Sequence, residues 1–69
     1  MGTKFVERLI ELREEKGLSQ NELSKALGIN SVTISRWERG VRTPNIDSLE
    51  ILAKFFDVTA GQLIGTEEL

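Results

Sequence analysis

Arg36 and Val32 stand four residues apart within Ser31-Val32-Thr33-Ile34-Ser35-Arg36-Trp37-Glu38-Arg39. On a helix, that spacing brings both side chains to one face. With Ile34 taken as origin, Ser31, Trp37 and Glu38 fall within about 60° of it at ~100° per residue. Val32, Ser35, Arg36 and Arg39 gather on the far side. A guanidinium fork matches guanine O6 and N7, and a valine methyl suits the methyl of thymine. The pair therefore has the chemistry of a major-groove reader. Ser31, Thr33 and Ser35 flank it with hydroxyls that can reach bases or phosphates. An exposed valine alone is commonplace; beside Arg36 it gains a partner in base reading.

A base-reading helix needs phosphate donors around it. Gln20 falls in the first turn of an expected helix, where free amides and the helix dipole favour anions. Asn30 occupies the cap position of the reading helix. Arg39 ends that helix, and Arg42, Thr43 and Asn45 lie in the loop that follows. Gln20 and Arg39 each have an alternative as a solvated surface group. Trp37 leans inward and is expected in the core rather than on a base. Glu38 also leans inward, and an inward carboxylate needs a partner; Arg13 is expected to supply it.

These side chains must be positioned by short helices. Phe5, Val6, Leu9, Ile10 and Leu12 form an apolar stripe at helical spacing, closed by Lys16-Gly17. Beyond it one pattern recurs: an apolar residue, a capping residue, then another apolar residue five positions after the first. That is a hydrophobic staple around an N-cap. Leu18-Ser19 with Leu23, Ile29-Asn30 with Ile34, Ile46-Asp47 with Ile51, and Val58-Thr59 with Leu63 all fit it. The expected helices are 4–16, 20–27, 31–39, 48–56 and 60–64. The second and third are joined by Gly28-Ile29-Asn30, so they must cross steeply, with Ser24 as the small residue at the crossing. A plain helical hairpin would share this spacing. Pro44 falls in the Gly40–Asn45 loop, where it breaks no helix. The acidic tail, residues 66–69, is expected to fray from a domain spanning 1–65.

Composition narrows the function. The 69 residues allow one domain, carrying a net charge of −2, with no cysteine and no histidine. No zinc-finger ligand set, histidine acid–base chemistry or phosphate-binding glycine loop is present, so neither an enzyme nor a metal or cofactor site is expected. No apolar run has membrane-spanning length and no secretory pattern opens the chain, so a cytoplasmic location is expected. Charge is uneven. From Ser24 to Thr43, Lys25, Arg36, Arg39 and Arg42 stand against Glu38, giving +3. From Asp47 to Leu69, five acidic residues stand against Lys54, giving −4.

The stretch LSQNELSKALGINSVTISRWERGVRTPNIDSLEILAKFFDVTAGQLIG resembles the Cro/C1-type helix-turn-helix family, which includes lambdoid phage repressors. The likeness runs from about Arg8 to Gly65, carried by SQNELS, ISRWERG, Pro44 and LAKFFDV. It implies an all-α, five-helix, lambda-repressor-like domain that binds double-stranded DNA, with the helix at 31–39 in the major groove. It further implies a homodimer on a two-fold symmetric operator and a transcriptional regulator, with repression the expected sense. By the same resemblance Gln20 falls on a phosphate clamp, Ser31, Val32 and Arg36 on base-reading positions, and Arg13 with Glu38 on an ion pair joining the first and third helices. Several phage members carry glutamine where this chain has Ser31 and Val32, so their operator preferences do not transfer. Phe55, Leu63 and Ile64 are candidates for the dimer surface; the alternative is that they complete the core. An antitoxin-like protein with a protein partner and an interaction module without DNA binding are the competing functions; exposed Arg36 beside Val32 argues against the second. A linker to an oligomerisation domain would begin after the fifth helix.

Overall fold

Polar side chains that start helices set the chain's course. A computed structural model describes residues 3–69. It contains five helices and, among the described residues, no strand: α1 Thr3–Glu15, α2 Gln20–Leu27, α3 Ser31–Glu38, α4 Ile46–Phe56 and α5 Ala60–Ile64. At the head of α2, Ser19 Oγ accepts the Glu22 N–H at 3.1 Å, while Glu22 Oε1 accepts the Ser19 N–H at 2.8 Å. Thr59 and Gln62 repeat this reciprocal box at α5, both bonds at 2.9 Å. Asn30 Oδ1 caps α3 through the Val32 N–H at 2.8 Å.

The fourth start differs from the expected one. Asn45, not Asp47, caps α4, its Oδ1 accepting the Ser48 N–H at 2.8 Å. The helix therefore begins at Ile46, two residues earlier than the Ile46–Ile51 pairing implies. Those two isoleucines are 73% and 44% exposed, so they form no staple. The apolar positions that flank the true cap are Pro44, which is buried, and Leu49, which is partly buried. Proline fixes its own φ and disfavours helix at the residue before it. Pro44 is buried, and the next residue, Asn45, holds the extended backbone of a cap, which starts the helix at Ile46.

One core joins all five helices. Phe5, Leu9 and Leu12 enter it from α1, Leu23 from α2, and Ile34 and Trp37 from α3. Leu52, Ala53 and Phe56 of α4 and Leu63 of α5 complete it. Helix α1 packs on α3 and α5, α2 on α3 and α4, and α4 on α5. Leu63 is fully buried, so it cannot serve as a dimer contact. Packing of α5 against α1 and α4 turns it inward.

The tail also differs from the expectation of fraying. Thr66 and Glu67 both donate backbone N–H groups to the Gly61 carbonyl. Arg8 donates to the Glu67 carbonyl at 3.1 Å, Thr59 Oγ1 bonds the Glu67 carboxylate, and Gln62 Nε2 donates to the Glu68 carbonyl at 2.9 Å. Unspent polar groups around the α5 cap thus hold a segment whose composition alone suggests a loose end. No described helix is long and apolar enough to cross a membrane.

Arg13 ties α1 to α3. Its Nε and Nη2 donate to Glu38 Oε2 and Oε1 at 2.7 and 3.1 Å, and its Nη1 donates to the Leu18 carbonyl at 2.7 Å. The side chains are 14% and 5% exposed. The hydrogen bond to Glu38 raises the Arg13 pKa, against desolvation, which lowers it. Removing one member of such a pair strands the other charge away from water. Arg13→Ala is expected to lower unfolding stability by about 2–4 kcal/mol, read from urea denaturation followed by Trp37 fluorescence; a loss below about 0.5 kcal/mol, the usual size of a surface change, refutes the structural role.

The Ser19 box carries a pH dependence. The Ser19 backbone N–H, and then its hydroxyl, hold the Glu22 carboxyl below its ordinary pKa. The unfolded chain therefore binds that proton more tightly than the folded one. The resulting stabilisation is fully present above the ordinary carboxylate pKa and disappears as pH falls through the lowered value. Glu22→Gln is expected to melt below wild type at neutral pH, with the gap closing in acid; a gap that persists at low pH contradicts the assignment.

Candidate nucleic-acid interface

Helix α3 is presented by a turn of three residues. Gly28 caps α2 in the left-handed region (φ 69°), which lets the chain reverse without a Cβ penalty. Its N–H and that of Ile29 both donate to the Ser24 carbonyl at 2.9 and 3.2 Å. The Ser24 hydroxyl donates in turn to the Ile29 carbonyl. Ser24 is therefore more than a small residue at a crossing: its backbone and side chain together satisfy the polar groups of the turn.

The far end of α3 closes by a second left-handed glycine. Gly40 (φ 74°) donates to the Trp37 carbonyl at 3.1 Å, and Val41 N–H reaches back to the Arg36 carbonyl at 3.1 Å. The pattern is a Schellman closure. It ends the helix at Glu38 with Arg39 as the cap residue, one position before the expected end.

Between these closures the two faces of α3 separate. Ile34 and Trp37 are 0% and 3% exposed, anchoring one side in the core. On the other side Val32 is 52% exposed, and Arg36, one turn on, is exposed. Ser31, Thr33 and Ser35 are partly buried along the borders. Val32 and Arg36 thus share an outward face, with three hydroxyl residues beside it.

The expected phosphate donors surround this helix in the chain. Arg39, Arg42, Thr43, Asn30 and Asn45 are exposed, and Gln20 is partly buried. Asn30 and Asn45 have a shared geometry. In each, Oδ1 is occupied by a helix-start N–H, so the amide is oriented and its NH2 group stays available to an acceptor. Capping and phosphate donation use opposite ends of the same group, so the two roles are compatible. Arg13 and Glu38 pair with each other away from the outward Val32–Arg36 face. Glu38 is 9% exposed, so its charge is spent inside. Arg36, with the cap residue Arg39, consequently dominates the exposed charge at this helix.

Sequence reasoning missed one contact. Gln20 Nε2 donates to Glu38 Oε1 at 3.1 Å, linking the start of α2 to the ion pair. The contact spans 18 residues, and no local pattern signals it. It also missed Val41, which is 62% exposed, and the exposure of Ile46; both are apolar residues beside the basic loop. Of the candidate dimer residues, Phe55 and Ile64 remain partly exposed. Phe55 stacks edge-on against Phe56 with ring centroids 5.1 Å apart, and Lys16 Nζ sits 5.3 Å from its ring.

Comparison with known proteins gives the same answer along most of the chain. A family model described as Helix-turn-helix matches residues 9–63. The chain is 42% identical over 66 residues to the HTH-type transcriptional activator BcrR of Enterococcus faecalis, covering 96% of this chain and 32% of that protein. It is 31% identical over 64 residues to the cryptic phage CTXphi transcriptional repressor RstR of Vibrio cholerae, covering 93% and 58%. It is 38% identical over 63 residues to the HTH-type transcriptional regulator AnsR of Bacillus subtilis, covering 91% and 54%. The chain thus spans roughly a third to somewhat over half of these relatives' lengths. A turn built on Gly28, a third helix buried through Ile34 and Trp37, and these matches make the chain a member of the Cro/C1-type helix-turn-helix family.

Proposed function

We propose that the chain is a sequence-specific double-stranded DNA-binding unit of a transcriptional regulator in the cytoplasm, with α3 in the major groove. Residues 1–65 form the binding unit, and 66–69 its short acidic tail. The observation that carries this reading is the outward Val32–Arg36 pair on a helix whose other side is locked in the core. Arg36 donates to a guanine edge, Val32 meets a thymine methyl, and Ser31, Thr33 and Ser35 adjust to neighbouring bases or phosphates. Gln20, Asn30, Arg39, Arg42, Thr43 and Asn45 grip the backbone on either side.

An acidic protein needs such localisation. With a net charge of −2 it gains little from general attraction to DNA. Selectivity must then arise from a few placed contacts. A second copy on a two-fold related half-site, about 34 Å away, would double them. Phe55 and Ile64, still partly exposed, are the candidates for that pairing. Relatives named both activator and repressor match this same segment. We take repression, by occupying a promoter, as the working sense, because it needs no surface beyond the one described.

Selection from random duplexes followed by titration tests the reading. Arg36→Ala is expected to cost about 1–3 kcal/mol on the best site and to relax one base position. Unchanged affinity and preference would remove Arg36 from the reading face. Gln20→Ala is expected to weaken all sequences about equally; a change in base preference instead would make it a reader rather than a clamp.

A further inference from the structure

Gln20 is the first residue of α2, and its side chain turns back toward the junction of α1, α2 and α3. Glu38 Oε1 accepts from Gln20 Nε2 at 3.1 Å and from Arg13 Nη2 at 3.1 Å. Glu38 Oε2 accepts from Arg13 Nε at 2.7 Å. An ionised carboxylate can only accept. It therefore dictates which end of the Gln20 amide faces inward: NH2 and never the carbonyl. One N–H is spent on Glu38, and the other remains for an outside acceptor.

Charge matters as much as direction. A bare carboxylate behind the first turn of α2 would repel a phosphate placed there. The two-point contact from Arg13 cancels that charge, with the pair only 14% and 5% exposed. The Ser19 hydroxyl takes the Glu22 N–H, so the earlier amides of this eight-residue helix face outward without an intrahelical partner. The Gln20 NH2 group thus stands beside free backbone donors, over a neutralised anchor.

We infer that Glu38, held by Arg13, is a positioning residue for DNA binding: it fixes the Gln20 amide as a phosphate donor, so that α1 and α3 together set the clamp at the head of α2. This rests on the reading of Gln20 as a phosphate contact. Glu38 touches no DNA itself. Its influence passes through one hydrogen bond, and that separates positioning from simple support of the fold.

A double-mutant cycle on a mixed-sequence duplex at about 0.1 M salt tests this, with affinities referred to the folded fraction reported by Trp37 fluorescence. One arm is Gln20→Ala. The other is Arg13→Met with Glu38→Met, which removes the acceptor and replaces the ion pair by apolar groups of similar length, a swap that often preserves stability. Each arm is expected to weaken binding about three- to tenfold, the range of one hydrogen bond. The combined variant is expected to bind no more weakly than the weaker arm. Multiplying effects overturn the inference while leaving Gln20 as a clamp. No effect of Gln20→Ala overturns both. In the unmodified protein the Gln20 side-chain NH2 is expected to give an ordered, displaced NMR signal pair. An averaged, free-glutamine signal overturns the inference even where the methionine variant does not fold.

Discussion

The Glu38 carboxylate is the constraint on which much else depends. It projects from a helix that must bury Ile34 and Trp37, so it arrives in the interior with them. A charge taken out of water demands compensation of comparable strength. Arg13 provides it from α1 through a two-point contact, and spends its remaining nitrogen on the Leu18 carbonyl beside the start of α2. Gln20 supplies a further donor. Three helices are thereby fixed at one small polar junction set against an apolar core. Apolar packing is non-directional, whereas Arg13 Nε, Arg13 Nη2 and Gln20 Nε2 each aim at a defined oxygen of Glu38 and so fix how the helices meet.

That rigidity serves the outward face. A reading helix is useful only if its base-facing side chains hold a constant position relative to the phosphate contacts around it. Here α3 is held at its start by the Asn30 cap, along its length by Ile34 and Trp37, and at its end by the Gly40 closure. Val32 and Arg36 are left outside as the remainder of that arrangement. Charge divides between the two sides: Glu38 is neutralised within, while Arg36 of α3 and the cap residue Arg39 stay exposed.

Much of this was legible locally. The staple-and-cap pattern at Ser19, Asn30 and Thr59 needs only six consecutive residues, and the cap is realised at each. It misplaced the start of α4, where two isoleucines at the right spacing imitate a staple that the burial of Pro44 forestalls. Leu63 shows the same boundary from another side. Its spacing from Val58 marks a helix start, but only packing against the other helices decides that it is core and not a dimer surface. The acidic tail reads as loose from its charge, yet it is held by Gln62 of α5 and by Arg8 of α1, the latter 59 residues away in sequence.

Residue types and spacing alone therefore determined five helices, the caps of α2, α3 and α5, the steep α2–α3 turn and the separation of Val32 and Arg36 from Ile34 and Trp37. These are consequences of helical periodicity and of short-range hydrogen bonding, which a sequence displays directly. Tertiary structure decided the true head of α4, the burial of Leu63, the anchoring of the tail and the contact of Gln20 with Glu38. Each of these depends on which groups from separate helices meet, and on the desolvated charge or unsatisfied donor that meeting has to resolve.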